Sequence, residues 1–293
     1  MSAVNDHSVL VGLIGAGIQR SKTPDLHMEE GRRQGLAYVY KLIDLDSLGL
    51  DAEALPELLR AVRLGAFDGL NVTFPCKQAI LPCLDDLSDE ARAIGAINTV
   101  VLRDGKLIGH NTDCTGFGEA FRRNLGQAPR RRVVQMGAGG AGAAVANALL
   151  EQGVETLVIF DTDAGKVREL IASLEGRFGT GRARVGTDLT AEMAAADGLV
   201  NATPVGMDKL PGMPVPEPLL RADLWVADII YFPMETELLR KARALGCTTM
   251  DGTNMAVFQA VKAFELISGR PADADRMMSH FQRLAAAAPD PAA

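Results

Sequence analysis

Short apolar, β-branched runs alternate with amphipathic stretches along most of this chain. The strand-like runs extend from Val9 to Ile14, Tyr38 to Ile43, Gly69 to Val72, Val133 to Met136, Thr156 to Phe160, Gly198 to Asn201 and Trp225 to Ile229. Between them, Leu55 to Arg63, Ala141 to Glu151 and Thr236 to Leu245 carry apolar residues at helical spacing. Strands that alternate with helices predict βαβ units, an α/β fold and mainly parallel sheets.

The pattern changes twice. After His110, "NTDCTGFGEAFRRN" reads as a helix, and a fresh doubly wound pattern starts at Arg132. Near Asp251 the alternation stops, and one long helical pattern runs from Asn254 to Ile267. The expectation is one α/β domain from residues 1–112, completed by the C-terminal helices of 252–293. A second, Rossmann-like domain of 113–251 is inserted into it, with a cleft between the two. The tail "AAAAPDPAA" is expected to fray.

Composition narrows the function classes. The 293 residues are 47% hydrophobic and 23% charged, the balance of a globular protein, with a net charge of -7. An acidic chain without basic runs is a poor ligand for nucleic acid or anionic membrane, so small diffusing partners are expected. Arg130, Arg131 and Arg132 form too short a cluster to change this, and read as a solvated strand entry. The first ten residues lack a basic start and an apolar run, so no signal peptide is expected. No stretch reaches the roughly 18 apolar residues of a membrane span. Cys76, Cys83, Cys114 and Cys247 are scattered, without C-x-x-C spacing or a nearby His. They read as reduced structural thiols of a cytoplasmic protein, with no metal site.

Two strand-to-glycine turns compete for a dinucleotide, "VGLIGAGIQR" and "VVQMGAGGAG". The second continues "GAGGAGAAVANALL". Gly137, Gly139, Gly140 and Ala141 let the backbone approach a pyrophosphate, and the following helix aims its N–H groups at the anion. "TLVIFDTD" then supplies Asp161 at the tip of the next strand, where an acid takes the ribose hydroxyls. A carboxylate there accepts from a free 2′-hydroxyl and repels a 2′-phosphate. Lys166 and Arg168 stand a turn or more into the helix, so the cofactor reads as NAD. The alternative is that Asp161 merely caps that helix.

The first turn lacks the third glycine, and a polar loop separates it from the next helix. There Thr23 is placed as N-cap and Pro24 as N1, with Ser21 beside them: a carboxylate site, or an ordinary capped helix. In "LNVTFPCK", Pro75 again looks like a first helical position, which puts Lys77 in the first turn. That location disfavours a charged ammonium, as a general base requires; the alternative is a surface lysine. Asn71 and Thr73 read as ligand contacts or as turn and cap residues. Thr112 or Asp113 can cap the helix after His110, and Asp113, brought to Lys77, would orient the amine. Asn98 and Asn111 add polar side chains at strand or loop ends. Together these residues suggest a polyhydroxylated ligand.

These motifs resemble the shikimate dehydrogenase superfamily over nearly the whole chain. The resemblance rests on "SKTPDLH" (Ser21, Thr23, Pro24, His27), "NVTFPCK" (Asn71, Thr73, Pro75, Lys77), "GAINTV" (Asn98, Thr99) and "GHNTDCTGF" (Asn111, Asp113, Gly116). It continues through "GAGGAG", "NATPVGM" (Asn201, Thr203, Pro204), "DIIYFPMETELL" (Asp228, Tyr231, Thr236) and "DGTNMAVFQAVKAFEL" (Gly252, Met255, Gln259). It implies a substrate domain around a Rossmann domain, with Ser21 and Thr23 on the substrate carboxylate. Asn71, Thr73, Asn98, Asp113 and Gln259 would surround the ring hydroxyls, and Lys77 with Asp113 would be the catalytic pair. Tyr231 and Gly252 would line the cleft, with Met255 near the nicotinamide; Asn201, Thr203, Pro204 and Gly252 would also serve the cofactor.

The biosynthetic, NADP-linked members typically read Ser-x-Ser and Asn-Arg-Thr where this chain has Ser21-Lys22-Thr23 and Phe160-Asp161-Thr162. Both changes resemble the NAD-linked quinate/shikimate branch. The expected reaction is oxidation of the C3 hydroxyl of quinate or shikimate, in a possible homodimer. The alternatives are an enzyme of shikimate alone or of an amino analogue, and a catalytically idle NAD-binding regulator.

Overall fold

The computed structural model describes residues 8–286; most of the N-terminal segment read for a signal and most of the tail expected to fray lie outside them. The chain divides into two units. One comprises the residues up to Thr112 together with those from Gln259 onward, and the other is Asp113–Phe258. The return to the first unit thus falls at Gln259, inside the helix Gly252–Ser268, rather than at residue 252.

In the first unit six strands, Ser8–Gly15 (β1), Ala37–Asp44 (β2), Gly69–Val72 (β3), Asp86–Leu87 (β4), Thr99–Arg103 (β5) and Lys106–His110 (β6), lie in the order β2-β1-β3-β5-β6-β4. β2, β1 and β3 run parallel, whereas β5 is antiparallel to both β3 and β6. The sheet is therefore mixed, with three of its five pairings parallel. The antiparallel part comes from a hairpin that the apolar-run criterion passes over. Its signal is "RDGK": Asp104 and Gly105 both take positive φ, as a two-residue turn with the right twist requires.

β1 is buried on both faces, so it reads as a continuous apolar run. At the sheet edge, β2 instead alternates, turning Tyr38 and Tyr40 inward and Val39 and Lys41 outward. One face of the sheet packs Ile14, Leu70 and Val72 against Leu55, Leu59 and Val62. The other packs Val9, Val11, Tyr38 and Tyr40 against Phe264 and Ile267 of the C-terminal helix. Full burial of such side chains contributes about 1.5–3 kcal/mol each. That is why the distant part of the helix Gly252–Ser268 from Gln259 onward belongs to this unit.

The second unit holds a wholly parallel sheet of Arg132–Met136 (β7), Thr156–Phe160 (β8), Ala183–Val185 (β9), Gly198–Asn201 (β10), Trp225–Asp228 (β11) and Thr248–Met250 (β12). The order β12-β11-β10-β7-β8-β9 reverses between β7 and β10. Such a doubly wound sheet binds ligands beyond the carboxyl ends of its strands at that reversal. β9 and β12 have three residues each, too few to register in a periodicity reading.

Candidate active site

In the first unit the parallel strands β1 and β3 end side by side, and their carboxyl ends carry the candidate binding residues. Gly15 sits opposite Asp44 in the β1–β2 register. The buried Asp44 carboxylate accepts from the N–H of Gly17 at 2.9 Å and from Gln19 Nε2 at 2.8 Å, and also from Asp46 N and Ser47 Oγ. Burial alone would raise this carboxyl, but the hydrogen bonds outweigh it and hold its pKa below the ordinary value. Asp44 thereby fixes the loop leading to Ser21.

The next helix is Thr23–Arg33, with Lys22 at the N-cap position and no side-chain cap bond. Thr23 is thus the first helical residue rather than the cap, and Pro24 the second. The cap assignment depends on backbone dihedrals that composition does not fix. Ser21 Oγ accepts from the Thr23 N–H at 3.3 Å, so the two residues stand at one helix start.

β3 delivers Asn71 in the buried interior and Thr73 just beyond, half-buried. The helix that follows, Cys76–Ala79, is a single turn with Pro75 at its N-cap. Pro75 is thus the N-cap rather than the first helical residue expected, since its backbone dihedrals are not helical. Lys77 is half-buried in that turn, and its carbonyl accepts from Ile97 N at 2.9 Å.

Asn71, Asn98 and Gln259 come together in one hydrogen-bonded network. The Tyr40 hydroxyl donates to Asn71 Oδ1 at 2.8 Å, and Asn71 Nδ2 donates to Thr99 Oγ1 at 3.1 Å. Thr99 in turn donates to Asn98 Oδ1 at 3.2 Å, which also takes the Thr112 N–H at 2.7 Å. Asn98 Nδ2 donates to Gln259 Oε1 at 3.2 Å. Asn111 has a structural role, donating to the Ala96 carbonyl at 2.9 Å. Three elements far apart in sequence therefore present amide groups at one place.

In the second unit the turn after β7 is built around glycine. Gly137 has a φ of +103°, and a Cβ there would lie 2.6 Å from the Ala202 carbonyl oxygen. Gly139 is the N-cap of the helix Gly140–Glu151, which Ala141 continues, and nothing lies within 4 Å of where its Cβ would be. Gly142, the last glycine of "GAGGAG", lets the helix pack against the Gly137 carbonyl. The buried Gln135 clamps both, its Nε2 donating to Gly137 O at 2.8 Å and Gly142 O at 2.9 Å.

Asp161 follows β8, and its Oδ2 accepts from the Ala138 N–H at 2.7 Å. Its side chain is half-exposed. The cap of the next helix is Asp163, whose carboxylate accepts from Gly165 N and Lys166 N, so Asp161 is not that cap. Lys166 Nζ lies 3.9 Å from Asp163.

The ends of β10 and β11 are joined by the buried Asp228. It accepts from Asn201 Nδ2 at 3.1 Å, Ile230 N at 3.0 Å and Thr236 Oγ1 at 2.8 Å. Asn201 Oδ1 then accepts from both N and Oγ1 of Thr203, which orders the loop carrying Pro204. Burial pushes the Asp228 carboxyl up to about 6, against these hydrogen bonds and with help from the Asp251 charge. Tyr231 follows β11 and is 43% exposed. Gly252 opens its helix tightly against the carbonyls of Ile229 and Ile230, and Met255 is buried one turn on. Asp113, buried at the start of the helix Thr112–Leu125, belongs to this unit, whereas Lys77 belongs to the other.

Tyr40, Asp44, Gln135 and Gly142 are contributors that motif reading does not reveal, since each acts on another residue of a loop or strand. Among the described residues no group of three or more His, Cys, Asp or Glu could hold a metal ion, and no helix is long and apolar enough to cross a membrane.

Comparison with known proteins bears on what this arrangement serves. Residues 13–100 match the family model described as the shikimate dehydrogenase substrate binding domain. A shikimate dehydrogenase (NADP(+)) of Streptomyces avermitilis is 52% identical over 283 residues, 96% of this chain and 97% of that one. A quinate/shikimate dehydrogenase (NAD(+)) of Corynebacterium efficiens is 46% identical over 285 residues, 96% of this chain and all of that one. Among solved structures, quinate dehydrogenase from Corynebacterium glutamicum in complex with NAD superposes with a TM-score of 0.89 at 45% identity, over 94% of this chain and 99% of that one. With identity of this order along almost its full length, this chain belongs to the shikimate dehydrogenase family.

Proposed function

We propose that this protein is an NAD-dependent dehydrogenase that oxidises the C3 hydroxyl of quinate or shikimate to the 3-dehydro acid. The observation that carries the cofactor choice is the half-exposed Asp161 carboxylate, held beside the glycine turn by the Ala138 N–H. A negative charge there favours a bare ribose over a 2′-phosphate. NAD, when bound, supplies the hydride acceptor. Gly137, Gly139, Gly140 and Ala141 are the residues for its pyrophosphate, and Asn201, Thr203, Pro204, Gly252 and Met255 for the rest of it.

Toward the acid, Ser21 and Thr23 at a helix start suit a carboxylate. Asn71, Thr73, Asn98, Tyr231 and Gln259 suit ring hydroxyls. Lys77 is the residue for taking the hydroxyl proton, and Asp113 is the second member of the proposed catalytic pair. The C3–H bonding pair leaves as hydride, so the alcohol loses one proton and one hydride and becomes a ketone.

A second reading has a specific observation in its favour: the 52% identical relative is named for shikimate and NADP(+). Steady-state rates with quinate and shikimate, each with NAD and NADP, separate the two. The first reading expects the higher kcat/KM with NAD, and a higher value with NADP overturns it. Lys77→Ala is expected to lower kcat roughly a hundred- to ten-thousand-fold. Turnover near the wild-type level would remove Lys77 from the proton transfer.

A further inference from the structure

The peptide unit between Gly137 and Ala138 is gripped at both ends. Its carbonyl, on Gly137, accepts from Gln135 Nε2 at 2.8 Å, and its N–H, on Ala138, donates to Asp161 Oδ2 at 2.7 Å. The two grips differ in footing. Gln135 is wholly buried in β7, and its amide also donates to the Gly142 carbonyl at 2.9 Å, inside the helix that begins at Gly140. Carbonyls only accept, so these two bonds fix which way the Gln135 amide faces. Asp161 is half-exposed. Its Oδ1 is held by its own loop, through Asp163 N at 2.9 Å and Thr162 Oγ1 at 3.4 Å, while Oδ2 reaches across to the glycine turn.

A glutamine is not an easy residue to bury in this strand. Its Oε1 has no hydrogen-bond partner among the described residues, and an acceptor buried in that way is destabilising. An apolar side chain would avoid the loss. What the glutamine supplies is a donor for the buried Gly137 carbonyl, and no other donor to that oxygen is found among the described residues. Gly137 has no Cβ to restrict how the peptide stands, and its own N–H, bonded to Phe160 O at 2.7 Å, fixes only the peptide before it. The path of constraint runs from the helix through Gln135 to the peptide, and from the peptide to the carboxylate.

We propose that Gln135 is a positioning residue for cofactor choice, which anchors the Gly137–Ala138 peptide from inside the sheet and thereby holds the Asp161 carboxylate where it favours NAD over NADP. The inference rests on the reading of Asp161 as the carboxylate that meets the ribose. Without Gln135 the peptide rotates to bring its carbonyl toward water, the Ala138 N–H leaves Asp161, and the carboxylate swings clear of a 2′-phosphate. A loosened glycine turn alone would weaken both dinucleotides alike, since both carry the same pyrophosphate. Only a displaced Asp161 changes their ratio.

Gln135→Met tests this by keeping the length of the side chain and removing the donor. The expected result is a fall of about five-fold in the NAD-over-NADP ratio of kcat/KM, the loss of about one net hydrogen bond, with the acid KM within about two-fold of wild type. In an Asp161→Ser background the same change should leave the ratio within about two-fold, because Gln135 acts through Asp161. Gln135→Glu, which keeps the shape and supplies one hydrogen at most, should also lower the ratio, and it decides the matter if Gln135→Met does not fold. The Ala138 amide, followed by NMR without any ligand, should exchange faster in either variant than in wild type. A folded variant with an unchanged ratio, an equal fall in both backgrounds, or an unchanged Ala138 exchange rate would overturn the anchor. If Asp161→Ser by itself leaves the ratio unchanged, the reading of Asp161 fails instead, and the exchange measurement still judges the anchor.

Discussion

His27 lies wholly inside the first unit, with Nδ1 3.0 Å from the Tyr38 hydroxyl and no hydrogen-bond partner for Nε2 among the described residues. The rings of Tyr38, Tyr40 and Phe264 surround it at 5.2–6.0 Å between centroids. Burial without a compensating anion lowers its pKa from 6.5 to about 3. Between those values the unfolded chain binds a proton that the folded chain refuses. Stability is therefore fully present above pH 6.5 and is lost as the pH falls. Two pH units below 6.5 the loss is about 3 kcal/mol, at roughly 1.4 kcal/mol per unit. His27→Asn keeps an acceptor near Tyr38 but cannot titrate. It should be less stable than wild type at pH 8, and the gap should close by about 3 kcal/mol by pH 4.5. Urea unfolding across that range, read as hydrogen exchange of first-unit peptides, measures the gap. Fluorescence of Trp225, the single tryptophan and a second-unit residue, serves as an internal control. A gap that stays constant within about 0.5 kcal/mol would refute the assignment of His27 as a buried neutral imidazole.

Asp228 runs the other way. Its carboxyl is raised to about 6, so the folded chain holds the proton more tightly, and stability falls as pH rises through 6. Asp228→Asn should gain on wild type by about 2.4 kcal/mol between pH 4 and pH 7 in urea titrations, and a flat difference would contradict this. The buried Glu30 receives Arg276 Nε at 2.7 Å and Nη2 at 2.6 Å, so Arg276→Ala should cost about 2–3 kcal/mol in thermal or urea unfolding, whereas an exposed pair would cost under about 1. Asp161→Ser should lower the preference for NAD over NADP by roughly 10- to 100-fold in kcat/KM, the worth of charged hydrogen bonds to a ribose; an unchanged ratio would move the determinant elsewhere.

The legible part of the fold was the part made of long apolar runs. β1, β7, β8, β10 and β11 all coincide with β-branched stretches, because a parallel strand covered on both faces has no polar side to interrupt it. β4, β9 and β12 are too short for any periodicity, and the β5–β6 hairpin announces itself by its turn rather than its strands. The glycine turn was legible because strand, glycines, helix and acid must follow in order. The partners of Asn71 were not: Tyr40 is 31 residues before it and Thr99 is 28 after it. Nothing local in "LNVTFPCK" encodes either. Asp228 reads as the polar end of a strand, and only the tertiary structure shows that it joins two loops.

The two glycine turns also show why a chain can hold two such motifs and reserve one for a nucleotide. In both units an acid stands at the end of the strand neighbouring the first glycine, Asp44 opposite Gly15 and Asp161 just past the Met136–Phe160 pair. Each accepts from a backbone N–H of its turn, Gly17 in one case and Ala138 in the other. The device is shared, but its remaining valence is not. Asp44 is buried and spends both oxygens on Gly17, Gln19, Asp46 and Ser47, which leaves nothing for a ribose. Asp161 is half-exposed. In the second unit the helix starts at Gly140, so its N–H groups face the turn, whereas in the first unit the helix waits until Thr23. A helix terminus stabilises an anion only within its first turn. The first turn thus holds a loop in place, and that loop leads through Ser21 to a helix that begins at Thr23. Gly-x-Gly alone is a statement about backbone room; the exposure of the acid and the distance to the helix decide what the room is for.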